Sequence, residues 1–406
     1  MKHTVVMVAT SYPRFAGDGV GSFMEPIAKG VAARGHEVHL VAPWHPLITR
    51  PPAEDGVVFH FYRYAPASSL NVFGYAEGMK ADTTLRAGAW IAAPLALAAG
   101  CWTARRVAAR YGATVLHGHW VIPGGVMAAL ARGQRPLVIS VHGSDVYVAE
   151  RHAILRRAAR FTFEAAGSIT ACSDDLRQRA VALGADPATT ETVPYGVDTT
   201  RFAPSGDTRR RLRAELGLGE APLVFSAGRL VSKKGFEYLI DAVGTMTASF
   251  PGLRLAIAGD GDLRETLATR ARRFGDAIML LGARTQDDVG RLAAAADVIV
   301  VPSVHDTEGN VDGLPNFALE AMATATPVVA TRVGGLPQAV EDGVTGRLVP
   351  EREAHSLAEA IRWLLDNPEK ARHIGGAARS LALRQFGWDR MVERLERSYD
   401  QAVARR

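Results

Sequence analysis

Short apolar runs alternate with helical segments along most of the chain, and no other feature of the sequence restricts its fold as strongly. Continuous apolar runs separated by helices are typical of parallel strands that are buried on both faces. The pattern therefore predicts an α/β fold with doubly wound parallel sheets. The predicted strands are Thr4–Thr10, His36–Pro43, Val115–His117, Leu137–His142, Ser168–Ser173, Thr192–Pro194, Leu223–Ala227, Leu253–Ala258, Ile278–Leu281, Val298–Val301 and Val328–Thr331.

The alternation is interrupted once, by a segment rich in Pro, Gly and charged residues at 193–222. Because 406 residues are too many for one hydrophobic core, this segment is expected to join two Rossmann-like domains, 1–200 and 201–382. Residues 383–406 read as an amphipathic helix that either caps the second domain or crosses back to the first. Open sheets bind ligands at the carboxyl ends of their strands. A cleft between the domains is the expected site if those ends face each other.

Three helix starts carry a capping-box pattern, in which Ser or Thr is followed three residues later by an acidic residue. The first predicted helix begins at Ser22 and closes at Arg34-Gly35. The three pairs are Ser22 with Glu25, Thr285 with Asp288, and Ser356 with Glu359.

Composition excludes several classes of protein. Hydrophobic residues make up 48% and charged residues 22% of the chain, as in ordinary globular proteins. The net charge of +5 lies entirely in residues 1–205, but no basic run is interleaved with aromatics, which argues against nucleic-acid binding. Cys101 and Cys172 lack metal-ligand spacing and predict a reduced, cytoplasmic compartment. The start, "MKHTVVMVATSYP", reaches a proline before any long apolar region, so no signal peptide is expected.

The most apolar segment, Ala89–Trp102, is too short to span a bilayer, which takes about twenty residues. It contains Pro94 and Gly100, and three arginines follow it. A core helix is the prediction, with an element lying on a membrane surface as the functional alternative.

A cationic turn follows the first predicted strand of the second domain. The stretch "FSAGRLVSKKGFEYLI" places Arg229 after the strand and Lys234-Gly235 before a helix. Backbone N–H groups, the positive end of a helix and two cations in one small volume suit a phosphate or diphosphate. A loop with two solvated cations is the alternative.

Two further strands end in polar motifs. In "VISVHGSD" the strand ends at His142, which Asp145 is placed to orient. In "LAIAGDGD" Gly259 and Gly261 either let the backbone approach a ligand or make a tight turn.

The most informative stretch is "VPSVHDTEGNVDGLPNFALEAMA". Asp312 lies in its loop and Glu320 in the first turns of the following helix, so both carboxylates can point at one ligand above the helix start. An ionised carboxylate accepts hydrogen bonds from two neighbouring hydroxyls. Cations for a diphosphate beside acceptors for hydroxyls describe a nucleotide sugar.

Together these motifs resemble family 4 of the retaining glycosyltransferases, which have the GT-B fold. The resemblance covers most of the chain and rests on the order and spacing of its motifs. They are "RGHEV", "HGSD", "VPYGVD", "GRLVSKKG", "GDGD", "GLPNFALEAMA" and "PVVATRVGGLPQAVEDGVTGRLV". It implies two facing Rossmann-like domains with parallel sheets and an inter-domain cleft, and a C-terminal helix over 383–406 that crosses back to the first domain.

The resemblance also implies roles for single residues. Arg229 and Lys234 would hold the donor diphosphate, Asp312 would face the transferred sugar, and His142 would lie near its reacting carbon. Ribose hydroxyls would bind Glu320. The remaining donor-binding positions would be Gly19, Gly21, Gly261, Gly313, Leu314, Pro315 and Asn316.

Two positions depart from the family pattern. Asp312 stands where the family usually has Glu, which is one methylene longer. Asp18-Gly19 stands where it usually has Gly-Gly, and Asp18 would be a poor neighbour for phosphate unless it points away.

The predicted activity is the retaining, metal-independent transfer of a hexose-type sugar to an acceptor hydroxyl in exopolysaccharide or glycolipid synthesis. No cofactor is expected, since the nucleotide sugar is a substrate. Val72–Arg110 is expected to contribute to recognition of a carbohydrate or lipid-linked acceptor, with contact to an anionic membrane at its cytoplasmic face. Aromatic candidates for lining the acceptor site are Tyr12, Phe15, Phe73, Tyr75 and Trp120, although core packing is expected for most.

Three alternatives are distinguishable. A non-catalytic binder would hold the donor without transferring it, and a sugar-nucleotide epimerase would convert the donor without an acceptor. A dinucleotide-binding dehydrogenase needs the G-x-G-x-x-G spacing after a strand, which "GDGVGSF" does not provide.

Overall fold

A computed structural model describes residues 1–65, 71, 73–75, 79–80, 84–85 and 87–405. The chain forms two compact units, one of Met1–Tyr195 with Trp388–Arg406 and one of Gly196–Gly387. The units divide a few residues from the predicted borders after 200 and 382. The difference arises where the two segments that join the units lie side by side. The N–H of Val197 donates to the carbonyl of Phe386 at 2.7 Å, so these residues of both segments belong to the second unit. Val72 and several residues of 76–86, in the predicted acceptor segment, lie outside the described residues.

The first unit is built on an eight-stranded sheet with the order β10-β9-β8-β7-β1-β2-β4-β3. Its pairs are parallel except β3 with β4. The elements are β1 (Thr4–Val8), α1 (Met24–Ala33), β2 (Glu37–Pro43), β3 (Ala53–Glu54), β4 (Val57–Tyr62), β5 (Met79–Lys80), β6 (Thr84–Leu85), α2 (Ala87–Arg110), β7 (Val115–His119), α3 (Val126–Ala131), β8 (Leu137–Val141), α4 (Ser144–Arg151), α5 (Ala153–Ala165), β9 (Ser168–Ala171), α6 (Asp174–Ala182) and β10 (Thr190–Thr192).

The second unit has a six-stranded, all-parallel sheet with the order β13-β12-β11-β14-β15-β16. Its elements are α7 (Gly206–Glu215), β11 (Leu223–Ala227), α8 (Phe236–Met246), β12 (Arg254–Ala258), α9 (Arg264–Ala271), β13 (Ile278–Gly282), α10 (Gln286–Ala295), β14 (Val298–Val301), α11 (Asn316–Ala323), β15 (Val328–Thr331), α12 (Leu336–Ala339), β16 (Arg347–Val349), α13 (Ala354–Asp366) and α14 (Pro368–Gln385).

The last helix, α15 (Trp388–Ala404), belongs to the first unit. It buries Val392 and Leu395 in the core of that unit, together with the side chains of β1 and α1. A Cβ on Gly30 of α1 would lie 2.6 Å from Val392 Cγ2, so the absence of a side chain there lets the helices touch. Tyr399 is fully buried and its hydroxyl hydrogen-bonds to His117 Nδ1 at 3.0 Å.

The apolar segment Ala89–Trp102 lies within α2, which continues through Pro94 to Arg110. Small residues let one face of this helix approach its neighbours closely: a Cβ on Gly100 would lie 2.2 Å from Met127 Sδ. The opposite face is exposed at Leu95 and Trp102, so the prediction of a core helix holds for one face only. Within the described residues, every helix is too short or too polar to traverse a bilayer.

One of the three predicted capping boxes is confirmed at its N-cap residue. Thr285 accepts a hydrogen bond from the N–H of Asp288 at 3.2 Å and begins α10. The prediction at Ser22 was wrong, because α1 begins at Met24 and its Glu25 pairs with Arg50 and Lys29 instead. The prediction at Ser356 was also wrong, since α13 begins two residues earlier at Ala354.

Candidate active site

The cationic turn of the second unit follows β11 as predicted and is closed by a glycine. Residues Ser232–Lys234 form one turn of 3₁₀ helix, and Gly235 follows as the N-cap of α8 in the left-handed conformation at φ 63°. A Cβ on Gly235 would lie 2.0 Å from the carbonyl oxygen of Pro302, so only glycine fits here. The turn therefore packs directly against the backbone at the end of β14.

Asp312 binds both lysines of this turn. Its carboxylate lies 2.7 Å from Lys234 Nζ and 3.4 Å from Lys233 Nζ, and it accepts a hydrogen bond from Ser303 Oγ at 3.2 Å. Burial by itself would raise the pKa of Asp312, but the charges of Lys234 and Lys233 outweigh it, so the pKa is lowered. Arg229 acts on Asp312 in the same direction. Three cations thus surround one ionised carboxylate.

Glu320 lies in the second turn of α11 and is half-buried. Desolvation raises the pKa of its carboxyl group to about 7, although Arg201 and Lys234 act in the opposite direction. Both protonation states of the group are therefore accessible near neutral pH. It can accept hydrogen bonds from hydroxyls as a carboxylate or donate one as an acid.

The residues before Glu320 form the entry to α11. Gly313, Leu314 and Pro315 are buried, and the carbonyl of Gly313 accepts a hydrogen bond from Gly335 N–H at 2.6 Å. The helix starts at Asn316, whose Oδ1 is buried and finds no hydrogen-bond partner among the described residues. An unpaired buried acceptor is costly, so this amide is suited to a ligand donor.

Gly261 lies beyond the carboxyl end of β12, next to β11 in the sheet. A Cβ there would lie 2.7 Å from the carbonyl oxygen of Leu230, so the two loops touch along their backbones. The close contact explains the glycine through packing of the two loops, a reason that differs from both the ligand approach and the tight turn considered for "GDGD". The loop still lies at the carboxyl edge of the sheet, beside the cationic turn.

His142 belongs to the first unit and follows β8. Both of its ring nitrogens are engaged by protein groups: Nδ1 with Tyr195 Oη at 2.7 Å and Nε2 with His119 Nδ1 at 3.1 Å. Burial lowers the pKa of His142 to about 3, so the ring is neutral at physiological pH. The rings of Phe23 and Trp120 pack against it at centroid distances of 4.9 Å each.

Asp145 does not orient the imidazole of His142, which corrects the prediction. Its carboxylate instead accepts backbone N–H groups of Val121 at 2.6 Å, Gly143 at 2.9 Å and His142 at 3.3 Å. It fixes the loop after β8, while Tyr195 and His119 fix the ring. Neither of these two residues was singled out from the sequence.

The loop after β1 carries Gly19 and Gly21. Space around the Cα of Gly19 is open, whereas Gly21 has φ 65° and its Cβ would lie 3.0 Å from Ser11 Oγ. Asp18 is buried and turned toward Arg14, whose Nε donates to it at 2.6 Å. Burial would raise the pKa of Asp18, but the hydrogen bonds from Arg14 lower it below its usual value.

Among the aromatic residues named for the acceptor, Tyr12 and Tyr75 are buried, at 0% and 4% exposure, and Phe15 is exposed. Core packing is thus confirmed for Tyr12 and Tyr75. Lys233, which the sequence analysis passed over, is buried against Asp312. The doubled lysine of "SKKG" could have indicated this role, because one 3₁₀ turn brings both ammonium groups to the same carboxylate.

Comparison with solved structures defines the class of protein. The structure is similar to sucrose-phosphate synthase from Thermosynechococcus elongatus, with a TM-score of 0.81 and 22% identity over 100% of each chain. It is also similar to Anabaena Alr3699/HepE in complex with UDP, with a TM-score of 0.77 and 21% identity over 98% of this chain and 99% of that one. These similarities, with the two parallel-sheet units, define the GT-B fold of glycosyltransferases.

The family follows from sequence comparison. Residues 17–201 match the model described as Glycosyltransferase Family 4, and residues 208–381 match Glycosyl transferases group 1. A GDP-mannose-dependent alpha-(1-6)-phosphatidylinositol monomannoside mannosyltransferase of Mycolicibacterium smegmatis is 36% identical over 271 residues, which cover 66% of this chain and 71% of that protein. A glycogen synthase of Mycobacterium tuberculosis is 29% identical over 95% of this chain and 91% of its own length. The chain belongs to the family 4 glycosyltransferases.

Proposed function

We propose that the protein transfers a hexose-type sugar from a nucleotide diphosphate sugar to an acceptor hydroxyl with retention of anomeric configuration. The observation that carries this proposal is the Arg229, Lys233 and Lys234 cluster around Asp312, with Glu320 nearby. Three cations against one ionised carboxylate leave a local excess of positive charge. That excess suits the diphosphate of a donor, and Glu320 suits its ribose hydroxyls.

The chemical task of the cluster is to stabilise the leaving nucleoside diphosphate. The transition state resembles an oxocarbenium ion separating from a diphosphate, so charge develops on the phosphate oxygens. Fixed donors aimed at that charge are typically worth about 10²–10³ in rate each. Arg229 and Lys234 supply these donors. Their positive charges would neutralise the leaving diphosphate, as a bound divalent cation does in other sites.

Retention is proposed through a same-face route. A double-displacement route needs a carboxylate nucleophile beside the anomeric carbon, but Asp312 is held by two lysines and His142 is neutral with both ring nitrogens engaged. In the same-face route the bond from the anomeric carbon to the departing phosphate breaks while the acceptor oxygen approaches from the same side. The acceptor proton passes to the phosphate oxygen that leaves.

The acceptor is proposed to be a carbohydrate or a lipid-linked carbohydrate. Support comes from the relative in Mycolicibacterium smegmatis, whose name specifies GDP-mannose and a phosphatidylinositol monomannoside. The excess positive charge of the first 205 residues is compatible with work at the cytoplasmic face of an anionic membrane. GDP-mannose and glycolipid acceptors are therefore the first substrates to try.

The test begins with a thermal-shift screen of GDP-mannose, UDP-glucose and ADP-glucose, followed by NMR analysis of the product with the donor that stabilises the protein most. We expect an anomeric configuration identical to that of the donor. Arg229→Ala and Lys234→Ala should each lower turnover by about 10²–10³, while Lys370→Ala, an exposed cation on α14 of the same unit, should not. Near-normal rates in the first two variants would remove the assignment.

The same experiment separates the alternatives. Donor binding without transfer in the presence of a broad acceptor panel would favour a non-catalytic binder. Conversion of the donor to its epimer without an acceptor would favour an epimerase. An inverted product would leave the glycosyltransferase assignment in place and refute retention.

A further inference from the structure

The first unit contains a cavity that none of the candidate donor residues lines. Its volume is about 370 Å³, within the range of small-molecule sites. It lies between β4 and the C-terminal half of α2. The side chains that define its character are Tyr62, Arg63, Trp102, Arg106, Arg110 and Tyr111.

Three guanidinium groups of the cavity each lie within cation–π distance of an aromatic ring. Arg63 lies 3.7 Å from the ring centroid of Trp44, Arg106 lies 5.3 Å from that of Trp102, and Arg110 lies 5.4 Å from that of Tyr111. A guanidinium over a ring face is attracted to it and keeps N–H groups for another partner. The cavity therefore presents three cations, each of which is restrained by an aromatic neighbour.

None of these three arginines forms an ion pair with a carboxylate among the residues that the structure describes. A chain of hydrogen bonds behind the cavity ends at the carboxylate of Glu37, which binds His39 Nε2 at 3.1 Å. His39 in turn binds His60, a lining residue, through Nδ1 at 3.0 Å. Among the described residues that line it, the cavity thus has no acidic side chain, in contrast to the cationic turn, where Asp312 neutralises two lysines.

The cavity also offers an apolar surface. Trp102 is 62% exposed, although exposure of a large aromatic side chain to water is energetically unfavourable. Buried Val107 and Tyr62 continue this surface inward. A ligand that fits must combine an anionic group with a face that can cover an indole ring.

We propose that this cavity is a binding site for an organic phosphate, with the phosphate held by the edges of Arg63, Arg106 and Arg110 and a sugar or polyol ring placed on Trp102. Phosphate matches the site because its oxygens accept paired hydrogen bonds from a guanidinium, and its charge of up to two opposes three cations. The ligand is either a free sugar phosphate or the headgroup of an anionic lipid, which share this chemistry. The site does not depend on the proposed transfer reaction.

The test is isothermal titration of the full chain with glucose 6-phosphate, inorganic phosphate and glucose, beside flotation with vesicles of phosphatidylcholine with and without phosphatidylglycerol. Each lost charge-assisted contact should weaken binding about tenfold or more, so Arg63→Gln and Arg106→Gln are the test variants. Arg105→Gln is the matched control, because Arg105 is exposed on the same helix and does not line the cavity. Trp102→Ala should weaken binding of glucose 6-phosphate more than that of inorganic phosphate, because it removes the surface for the sugar ring as well as the ring that Arg106 contacts.

The outcomes discriminate clearly. Binding of glucose 6-phosphate that Arg63→Gln and Arg106→Gln weaken, with Arg105→Gln unchanged, supports a soluble ligand. Vesicle binding with the same variant pattern, and no binding of glucose 6-phosphate, supports a lipid headgroup. Equal loss with Arg105→Gln would indicate general surface charge and overturn the site, as would the absence of any binding. Because donor turnover is not measured, failure here leaves the proposed transfer reaction unaffected.

Discussion

The ammonium of Lys234 lies 2.7 Å from a carboxylate oxygen of Asp312, although sequence reasoning assigns one of these residues to a diphosphate and the other to a sugar. Asp312 is the anion that neutralises both lysines of the turn. A diphosphate bound at this turn, as proposed, would have to share or replace this carboxylate. We therefore expect the strength of donor binding to depend on that exchange.

Substitution of Asp312 by Asn should separate stability from anion binding. Buried Lys233 and half-buried Lys234 then lose their counter-charge, which should lower the free energy of unfolding by about 1–3 kcal/mol. Inorganic pyrophosphate should stabilise the variant more than the wild type, because the added anion no longer competes with a carboxylate. Thermal unfolding with and without pyrophosphate measures both effects.

Asp312→Glu is the control for this prediction, since it restores the charge. Its response to pyrophosphate should resemble that of the wild type. If Asp312→Asn gained no more from pyrophosphate than Asp312→Glu does, the exchange would be refuted.

Much of the fold was predictable because strands buried on both faces are continuous apolar runs. Leu223–Ala227, Val298–Val301 and Val328–Thr331 were predicted with the bounds that the structure has. β4 (Val57–Tyr62) was missed, because its sequence "VVFHFY" interrupts the apolar run with His60. That strand lies near the edge of the sheet, where a polar side chain is tolerated.

The candidate site was predictable where its residues follow predicted strands, because the carboxyl ends of parallel strands meet at one edge of a sheet. Lys234 and Asp312 meet because β11 and β14 are neighbours in the sheet, and both were found. Tyr195 and His119 reach His142 from other strands and loops, so no local pattern predicts them. The cavity beside α2 also depends on which face of that helix packs inward.

The raised pKa of Glu320 predicts a pH dependence of stability. Its folded pKa of about 7 lies above the reference value of 4.5, so between these values the folded state binds more protons than the unfolded state. Stability must therefore fall as pH rises through that window. Glu320→Gln should remove this part of the fall and gain on the order of 1–2 kcal/mol over the wild type between pH 5 and pH 8.

Urea unfolding at the two pH values measures this effect. Glu359→Gln is the control, because Glu359 is exposed on α13 of the same unit and should follow the wild type. An equal change in the free energy of unfolding between the two pH values for Glu320→Gln and the wild type would contradict the raised pKa.

Tyr195 should stabilise the first unit through His142. Tyr195→Phe removes the hydroxyl that lies 2.7 Å from His142 Nδ1 and leaves a buried ring nitrogen unpaired, at a cost of about 1–3 kcal/mol. A fall in melting temperature of about 2–4 °C per kcal/mol is expected for a unit of this size. Tyr238→Phe, whose hydroxyl has no hydrogen-bond partner among the described residues, should melt like the wild type. Equal melting of both variants would show that the bond contributes no net stability.

Replacement of Gly235 by any other residue should be costly because of a steric clash as well as its positive φ angle. Gly235 and Gly217 have nearly the same φ, 63° and 64°, and both lie in the second unit. A Cβ on Gly217 would have no atom within 4 Å, whereas one on Gly235 would lie 2.0 Å from the carbonyl oxygen of Pro302. Gly217→Ala therefore carries only the cost of a left-handed residue, about 1–2 kcal/mol. Gly235→Ala carries that cost and must also push the cationic turn away from β14.

The displaced turn would carry Lys233 and Lys234 away from Asp312. We expect Gly235→Ala to lose pyrophosphate-dependent stabilisation as well as stability, while Gly217→Ala loses stability alone. Thermal unfolding with and without pyrophosphate compares the two variants directly. Retained stabilisation by pyrophosphate in Gly235→Ala would mean that the anion binds elsewhere, because the lysines that the turn positions would no longer be in place.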